Sequence, residues 1–580
     1  WQALTPELLA RRLATRALAA AGLVPVSGVA VTAIAVRVLA RLRRQDRLGR
    51  YDDIADKPGF APSLARTFDE LGMADIGADT IAEHDAELAG IYWAYLAEIA
   101  DLQLADRPAV FAMARDAAVA GTHELVGLPV ILADVPIRSM REGAVLRTLI
   151  AQAPTALVTI AAGDKQTESA LAVTGECYEA APTNALERAQ CHLFGPPPAP
   201  TAPDSTITVF SAPGENRECV EIARRVLAEA RDGTPFDRMA VLLRAPLLYR
   251  PHLVEAFRRA GIPAHFSGGT VRPDPSGRAF LTLLDCAHEG LSARAFAEYL
   301  SLSVVPADGE HVRDDFVAPP DFPLAAVLPS PEAGDKAVVA DADAPIIEGA
   351  LRVPRRWERL LVNASVIGGL DRWRRRLAGL RAELQRAIDL EDPESPRGER
   401  LRRNLGDLTA LCDYAVPILE MLAALPEQAT WGQWLPTLTD LARASLREPF
   451  RVLEVLAELE PMAPVGPVDL SEVRHVLGER LGELVDRPEG QRAGKVFVGG
   501  IDEARGLEFD TVFVPGLAER LFPHKVIEDS ILLDRVRATI GPALATNTTR
   551  VAEERMALRI AVGAANARLV LSYPRLDSEQ

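Results

Sequence analysis

Apolar, β-branched runs alternate with amphipathic helical stretches in the middle of the chain. The runs at 207–210, 239–243 and 263–266 have the length and composition of buried strands. Between them, residues 215–230 and 246–260 repeat apolar positions at helical spacing. This strand–helix–strand order predicts a parallel sheet with right-handed crossovers.

The strand pattern returns near the end of the sequence after a long helical interval. Residues 496–498 and 511–514 are short apolar runs on either side of a charged turn, and 569–573 is a further run. Residues 276–492 have mostly helical periodicity. The sequence therefore predicts an α/β fold in which inserted helices interrupt one parallel sheet.

The first part of the chain is predicted to be rich in helices. Long helical stretches cover 5–21, 31–48 and 80–103. Two apolar runs, at 128–134 and 157–160, then predict short strands. The segment GPPPAPTAPDS that follows predicts a stiff, extended linker.

Together these patterns divide the chain into segments. A length of 580 residues agrees with several domains, because one core rarely serves more than about 300 residues. The predicted boundaries are 1–194 for a first α/β domain with a helical insertion, 195–205 for the linker, 206–275 and 493–580 for the two parts of a second α/β domain, and 276–492 for an inserted, mainly helical subdomain.

Charge and composition narrow the classes of partner. A net charge of −17 argues against binding nucleic acid through overall charge, although a local basic groove remains compatible with that total. Arginine-rich helices over 37–50 and 373–381 are candidates, but such arginines more often form solvated faces or salt bridges. Five scattered cysteines lack metal-ligand spacing, so no metal site is predicted. The absence of a signal peptide and of a long apolar run predicts a cytoplasmic protein with no membrane role.

The charged turn between the runs at 496–498 and 511–514 carries the most informative motif. Its residues 505–509 read RGLEF and resemble motif V of superfamily 1 DNA helicases, which usually reads Lys-Gly-Leu-Glu-Phe. In that family the glycine lets the backbone approach a ligand and the glutamate binds the nucleotide sugar. The following residues 514–523 also resemble the family in their Gly-x-x-Glu-x-x-Phe-Pro spacing. The alternative is an ordinary polar turn.

A second segment, at 553–569, resembles motif VI of the same helicases. Glu553, Glu554 and Arg555 fit its Glu-Glu-Arg start, but the family's Thr-Arg pair falls on Gly563 and Ala564. In active enzymes that arginine stabilises charge on the transferred phosphoryl group, which alanine cannot do. Arg559 or Arg568 could replace it only with a rearranged end of the helix.

Other nucleotide-binding motifs are absent or altered in the sequence. No Gly-x-x-x-x-Gly-Lys-Ser/Thr phosphate loop is present. Where the family has a strand ending in Asp-Glu, this chain has Asp134-Val135, and valine cannot act as a base. Residues 163–166 read GDKQ and resemble the family's Gly-Asp-x-x-Gln segment with the glutamine displaced, although a turn at a strand end explains them equally well.

The overall resemblance is closest to the AddB-type subunit of bacterial helicase-nuclease complexes. It covers 207–575 with reasonable specificity and 5–168 more weakly. The resemblance implies two RecA-like parallel-sheet domains with large helical insertions, and it implies DNA and a helicase-nuclease motor subunit as partners. AddB-type proteins also carry a PD-(D/E)XK nuclease domain, and this sequence ends before any such domain.

Three functional hypotheses follow from the sequence. The preferred one is a helicase-like scaffold that binds single-stranded DNA or a duplex end during double-strand-break processing and recombinational repair, without ATPase activity or a cofactor of its own. The first alternative is an active helicase that uses ATP and Mg²⁺, with its phosphate loop upstream of Trp1. The second alternative is a structural assembly subunit that does not bind DNA.

The predicted site is a vestigial nucleotide-facing cluster rather than a catalytic centre. It consists of Arg505, Gly506 and Glu508, with Glu554 and Arg555 as neighbours. A carboxylate at a helix start and a solvated arginine are the structural alternatives for the last two residues. No catalytic residue, metal ligand or DNA-binding residue is assigned from the sequence.

Overall fold

A computed structural model defines the conformation of most of the chain. The described residues are 2–57, 59–176, 181–196, 198–200, 202, 204–267, 275–302, 305–306, 354–364, 367–392, 395–482, 484 and 492–575. Parts of the predicted linker, of the inserted subdomain and of the last predicted segment therefore lie outside the described residues.

The N-terminal region is mainly helical, as its periodicity predicts. Its elements are α1 (Pro6–Ala21), β1 (Val24–Pro25), α2 (Val29–Arg44), α3 (Phe60–Met73), α4 (Ala78–Ala82), α5 (Ala86–Asp101), β2 (Leu104–Ala105) and α6 (Arg107–Val119). The single helix predicted over 80–103 is wrong, because the chain forms α4 and α5 instead. Asp85 ends the continuity by capping α5, where its carboxylate accepts a hydrogen bond from the Leu88 N–H at 3.0 Å.

A small parallel sheet follows the N-terminal helices. Its elements are β3 (Val130–Ala133), α7 (Met140–Gln152), β4 (Ala156–Thr159), α8 (Lys165–Leu171) and α9 (Ala185–His192). Strands β3 and β4 pair in parallel, with Val130 opposite Ala156. Because both strands run in one direction, the residues that follow them reach the same edge of the sheet. Asp134 follows β3 at that edge, and Asp164 precedes α8.

The strand–helix alternation predicted after the linker is present with nearly the predicted bounds. The elements before the helical insertion are β5 (Ile207–Ala212), α10 (Glu215–Arg231), β6 (Met239–Leu243), α11 (Pro246–Ala260) and β7 (Ala264–Phe266). The inserted helices are α12 (Pro275–His288), α13 (Ala293–Ser301), α14 (Pro354–Ala364), α15 (Leu370–Asp389), α16 (Pro396–Ala423), α17 (Trp431–Ser445), α18 (Phe450–Ala457) and α19 (Leu470–Gly482). The chain returns to the sheet in β8 (Val496–Gly500), β9 (Phe509–Val514), α20 (Asp534–Ile540), α21 (Asn547–Gly563) and β10 (Ala565–Pro574).

Strands from both sides of the insertion form one six-stranded parallel sheet. Its order is β5-β10-β9-β6-β8-β7, and each neighbouring pair is parallel. Strands β6 and β8 are almost wholly buried, which explains their continuous apolar sequence. This sheet and its flanking helices confirm the predicted α/β, helicase-like fold class. In the described residues before the linker, the sheets have two strands each.

A buried carboxylate connects four segments around the large sheet. Glu218 of α10 accepts hydrogen bonds from the Tyr249 hydroxyl of α11 at 2.8 Å and from the Gly516 N–H after β9 at 3.1 Å. The Ser572 hydroxyl of β10 donates a third bond at 2.5 Å. Burial raises the pKa of Glu218, while these three donors act in the opposite direction.

The N-terminal helices and the inserted helices share one hydrophobic core. Its buried side chains come from α2, α3 and α5 and from α12 to α19, although these two groups are far apart in sequence. Helices α1, α6 and α7 form a separate core with β3 and α8, and two further clusters cover the faces of the large sheet. Across the described ranges, no helix combines the length and apolar character that crossing a membrane requires.

Replacing Ile34 with alanine tests whether this core is shared. Ile34 is fully buried in α2, so the truncation should lower the free energy of unfolding by about 2 to 5 kcal/mol. Four buried tryptophans of the inserted helices belong to the same core, and they report the loss through fluorescence during urea unfolding: Trp357, Trp373, Trp431 and Trp434.

The matched control for Ile34→Ala is Leu247→Ala. Leu247 is 85% exposed on α11, so this change should alter stability by less than about 0.5 kcal/mol. An unchanged tryptophan transition in Ile34→Ala would separate the N-terminal helices from the inserted ones and contradict a common core.

Candidate functional site

The motif V-like turn places Arg505 against the small N-terminal sheet. Arg505 follows a short 3₁₀ turn, Ile501–Ala504, that begins where β8 ends. Its Nη1 lies 2.9 Å from Oδ1 of Asp134, and its Nη2 lies 3.2 Å from Oδ2 of Asp164. The Arg505 side chain is 11% exposed, so this three-residue ion pair is largely shielded from water.

Local backbone structure fixes the two aspartates that Arg505 contacts. Asp134 follows β3 with φ of 49°, a left-handed conformation that aspartate tolerates better than most residues. Its Oδ1 also accepts a hydrogen bond from the Ala161 N–H at 3.1 Å. Asp164 caps α8 through Oδ1, which accepts from the Thr167 N–H at 3.1 Å. The second oxygen of Asp164 is therefore directed to Arg505.

Electrostatics explain why a guanidinium occupies this position. Burial raises the pKa of Asp134, and the charge of Arg505 opposes that shift. A second contact between the same regions joins Arg138 to Asp502 at 3.5 Å, but both side chains are more than half exposed, so it contributes little. The buried carboxylates thus have a cation from within the chain itself.

The other two residues of the predicted cluster lie at the surface. Gly506 has φ of 69°, and a Cβ added there would meet open space, so its backbone conformation is the reason for glycine. Glu508 is exposed and accepts a hydrogen bond from Nδ2 of Asn566 at 3.2 Å. Neither residue shares the ion pairs of Arg505.

The two predicted neighbours, Glu554 and Arg555, have partners other than Arg505. Glu554 is buried in the middle of α21, so its interpretation as a helix-start carboxylate is wrong. It pairs with Arg244 at the end of β6 and accepts a hydrogen bond from the His524 N–H at 2.8 Å. Arg555 is exposed, and its guanidinium lies 5.7 Å from the ring centroid of Phe194.

The end of α21 places alanine where the resemblance implies an arginine. Ala564 is buried at the C-terminal cap of this helix. Arg559 lies against Gly163 and donates from Nη2 to the Leu193 carbonyl at 3.0 Å. Arg568 pairs instead with Glu229 of α10. Of the two substitutes considered from the sequence, Arg559 is therefore the one that reaches the loop containing Asp164.

Sequence reasoning identified the members of this site without identifying their pairing. Asp134 and Asp164 each stood out as altered motif positions at a strand end, and Arg505 stood out in the motif V-like turn. The signal that could have joined them is charge, because two aspartates at one sheet edge need a nearby cation. Arg244, the partner of Glu554, was missed, although it follows the apolar run at 239–243 directly.

The sheet and its motif V-like turn define a helicase-like α/β protein. Residues 473–575, which contain β8, β9 and β10, match the family UvrD-like helicase C-terminal domain. This match covers the segment on which the resemblance to superfamily 1 helicases depends.

Two relatives add a more specific similarity. The chain is 28% identical over 168 residues to the B-type subunit of the ATP-dependent helicase/deoxyribonuclease of Moorella thermoacetica. It is 23% identical over 182 residues to the protein of the same name from Natranaerobius thermophilus. The aligned segments cover 28% and 30% of this chain, and they span 15% of the length of each relative. Both similarities support the resemblance to a helicase-like, AddB-type subunit.

Replacing Arg505 with methionine should destabilise the protein by about 2 to 4 kcal/mol, because two largely buried carboxylates lose their cation. Without Arg505 the folded-state pKa of Asp134 rises further, and a group with a raised folded pKa loses its stabilising contribution as pH increases through that pKa. The deficit should therefore be largest near neutral pH and shrink in acid. Urea unfolding at several pH values measures it.

The control for Arg505→Met carries Asp134→Asn and Asp164→Asn in addition. This triple variant has no uncompensated charge at the site, so it should recover much of the lost stability at neutral pH. Equal destabilisation of the single and triple variants, with no dependence on pH, would show that Arg505 acts through packing and not through charge.

Proposed function

We propose that this chain is a helicase-like DNA-binding scaffold without ATPase activity of its own. The observation that carries the proposal is the bonding of Arg505 to both Asp134 and Asp164. In an active enzyme of the resembled family, a strand-end aspartate helps to hold the magnesium ion of the nucleotide. Here the strand-end aspartate is engaged by an arginine, and divalent cations require carboxylate oxygens that are free to coordinate them.

The residues around Arg505 do not fit a bound nucleotide with Mg²⁺. Val135 occupies the position of a catalytic base, and Ala564 occupies the position of a charge-stabilising arginine. The sequence also lacks a phosphate loop to hold the β- and γ-phosphates. These features support a site that has kept its fold and exchanged nucleotide chemistry for an internal ion pair. We assign no ATP, metal or catalytic residue to it.

The proposed biological setting comes from the relatives and from the domain plan. The names of the two relatives support a role in DNA repair, in double-strand-break end processing and recombination, beside a motor subunit of a helicase-nuclease complex. We further propose that 1–194 and the split segment 206–275 with 493–580 are RecA-like units, joined by the linker 195–205. In this proposal 276–492 is the inserted subdomain, and the complex is cytoplasmic.

One observation favours an active ATPase as a second candidate. Arg559 projects from α21 onto Gly163, close to the loop where a charge-stabilising arginine would act. Under this candidate, the phosphate loop would lie upstream of Trp1. Arg559 is already hydrogen-bonded to the Leu193 carbonyl, and for that reason we prefer the scaffold.

Binding of a labelled, forked DNA end with and without ATP and Mg²⁺ tests the scaffold, while ATP turnover is followed in the same samples. We expect salt-sensitive binding that ATP does not change, without turnover. DNA-stimulated turnover that Arg559→Ala abolishes would favour the second candidate. Failure to bind the forked end at low salt would contradict both and favour a structural assembly subunit.

Variants at the motif V-like turn test whether the site is vestigial. Glu508→Ala removes an exposed carboxylate, and it should change the dissociation constant for DNA by less than about threefold in the presence or absence of ATP. Glu255→Ala, at an exposed carboxylate on α11, is the matched control. An ATP-dependent change that appears in Glu508→Ala and not in Glu255→Ala would indicate a working nucleotide site.

A further inference from the structure

Two helices contain most of the arginine clusters that the sequence offers for nucleic-acid contact, and the structure distinguishes them. In α2 and the turn after it, the arginines are used internally. Arg37 and Arg41 both pair with Glu98, and Arg43 lies within ion-pair distance of Asp52 and Asp56. Their charge is therefore neutralised within the protein.

Helix α15 differs from α2 in the state of its arginines. Arg372, Arg375, Arg376 and Arg386 are exposed, and among the residues with described positions none has a carboxylate within ion-pair distance. Helical periodicity places all four on one face. The opposite face is buried through Trp373, Leu377 and Leu380. We call this exposed set the arginine face of α15.

The arginine face concentrates positive charge in an acidic chain. Helix α15 contains six arginines and three acidic residues, so its formal charge is +3 while the whole chain carries −17. Glu383 is the acidic residue that shares the face by helical spacing. From Arg372 to Arg386 the face extends about 21 Å, at 1.5 Å per residue. A surface of this length can contact several phosphates of a duplex, which presents about one charge per 1.7 Å of its axis.

We propose that the arginine face of α15 binds the phosphate backbone of duplex DNA next to the processed end. The identity of the partner as DNA rests on the proposed function, whereas the position of the contact rests on the four arginines that lack a carboxylate partner among the described residues. A duplex fits better than a single strand because single-strand sites usually offer aromatic side chains for base stacking. The aromatic residues of α15 and α16, Trp373 and Tyr414, are both buried.

The test compares two fourfold variants of the full chain with equal net charge. One replaces Arg372, Arg375, Arg376 and Arg386 with glutamine, which has a helix propensity close to that of arginine. The control replaces four arginines that are exposed but paired with carboxylates, on α10, α11 and α13: Arg224, Arg258, Arg259 and Arg294. Fluorescence anisotropy measures binding of a blunt duplex and of a single strand of equal length over a range of salt concentrations.

The arginine-face variant should bind the duplex at least about tenfold more weakly, and its salt dependence should fall by about three to four units of slope. The control variant and single-strand binding should change much less. A third variant, with lysine at the same four positions of α15, should keep most of the duplex affinity because each lysine retains the charge. Circular dichroism and thermal unfolding establish that all variants are folded.

Equal losses in the glutamine variant and its charge-matched control would overturn the inference, because overall charge would then explain them. Unchanged duplex binding in the glutamine variant would also overturn it and leave an acidic protein surface as the partner of this face. A loss confined to the single strand would refute the choice of duplex. If the wild-type chain binds neither DNA, the proposed function fails together with this inference.

Discussion

The ion pair between Arg505, Asp134 and Asp164 holds the two α/β regions of this protein together at its candidate site. Arg505 comes from the turn between β8 and β9, and the aspartates come from the edge of the small sheet. The three groups depend on one another, because each buried charge would be costly without its partner. The position of α21, whose Arg559 reaches Gly163, follows from the same approach of the two regions.

Much of the large sheet could be predicted because its strands are buried and its helices are amphipathic. The bounds predicted for β6 and α11 agree with the structure, since continuous apolar strands and a Gly261 helix cap are local signals. The sheet order could not be predicted, because β8 pairs with β6 across an insertion of more than two hundred residues. The break at Asp85 was missed because an N-cap within a periodic apolar pattern changes only one position.

The candidate site was predictable as a set of positions and not as a set of contacts. Altered motifs drew attention to Asp134, Asp164 and Arg505 individually. Their pairing requires the distance between two regions separated by more than three hundred residues, which periodicity does not encode. Glu554 illustrates the same limit, because its partner Arg244 follows a strand in another part of the sequence. Charge state is similarly hidden: the arginines of α2 and α15 look alike until their neighbours are known.

The core shared by α2, α3, α5 and the inserted helices has a consequence for how the protein is made. During synthesis, α2 emerges from the ribosome long before α19, against which it packs. The apolar face of α2 must therefore wait for more than four hundred further residues before its native partner exists. Such a delay leaves hydrophobic surface accessible to chaperones and to neighbouring nascent chains. Folding of the N-terminal helices is thereby coupled to translation of the whole helical insertion.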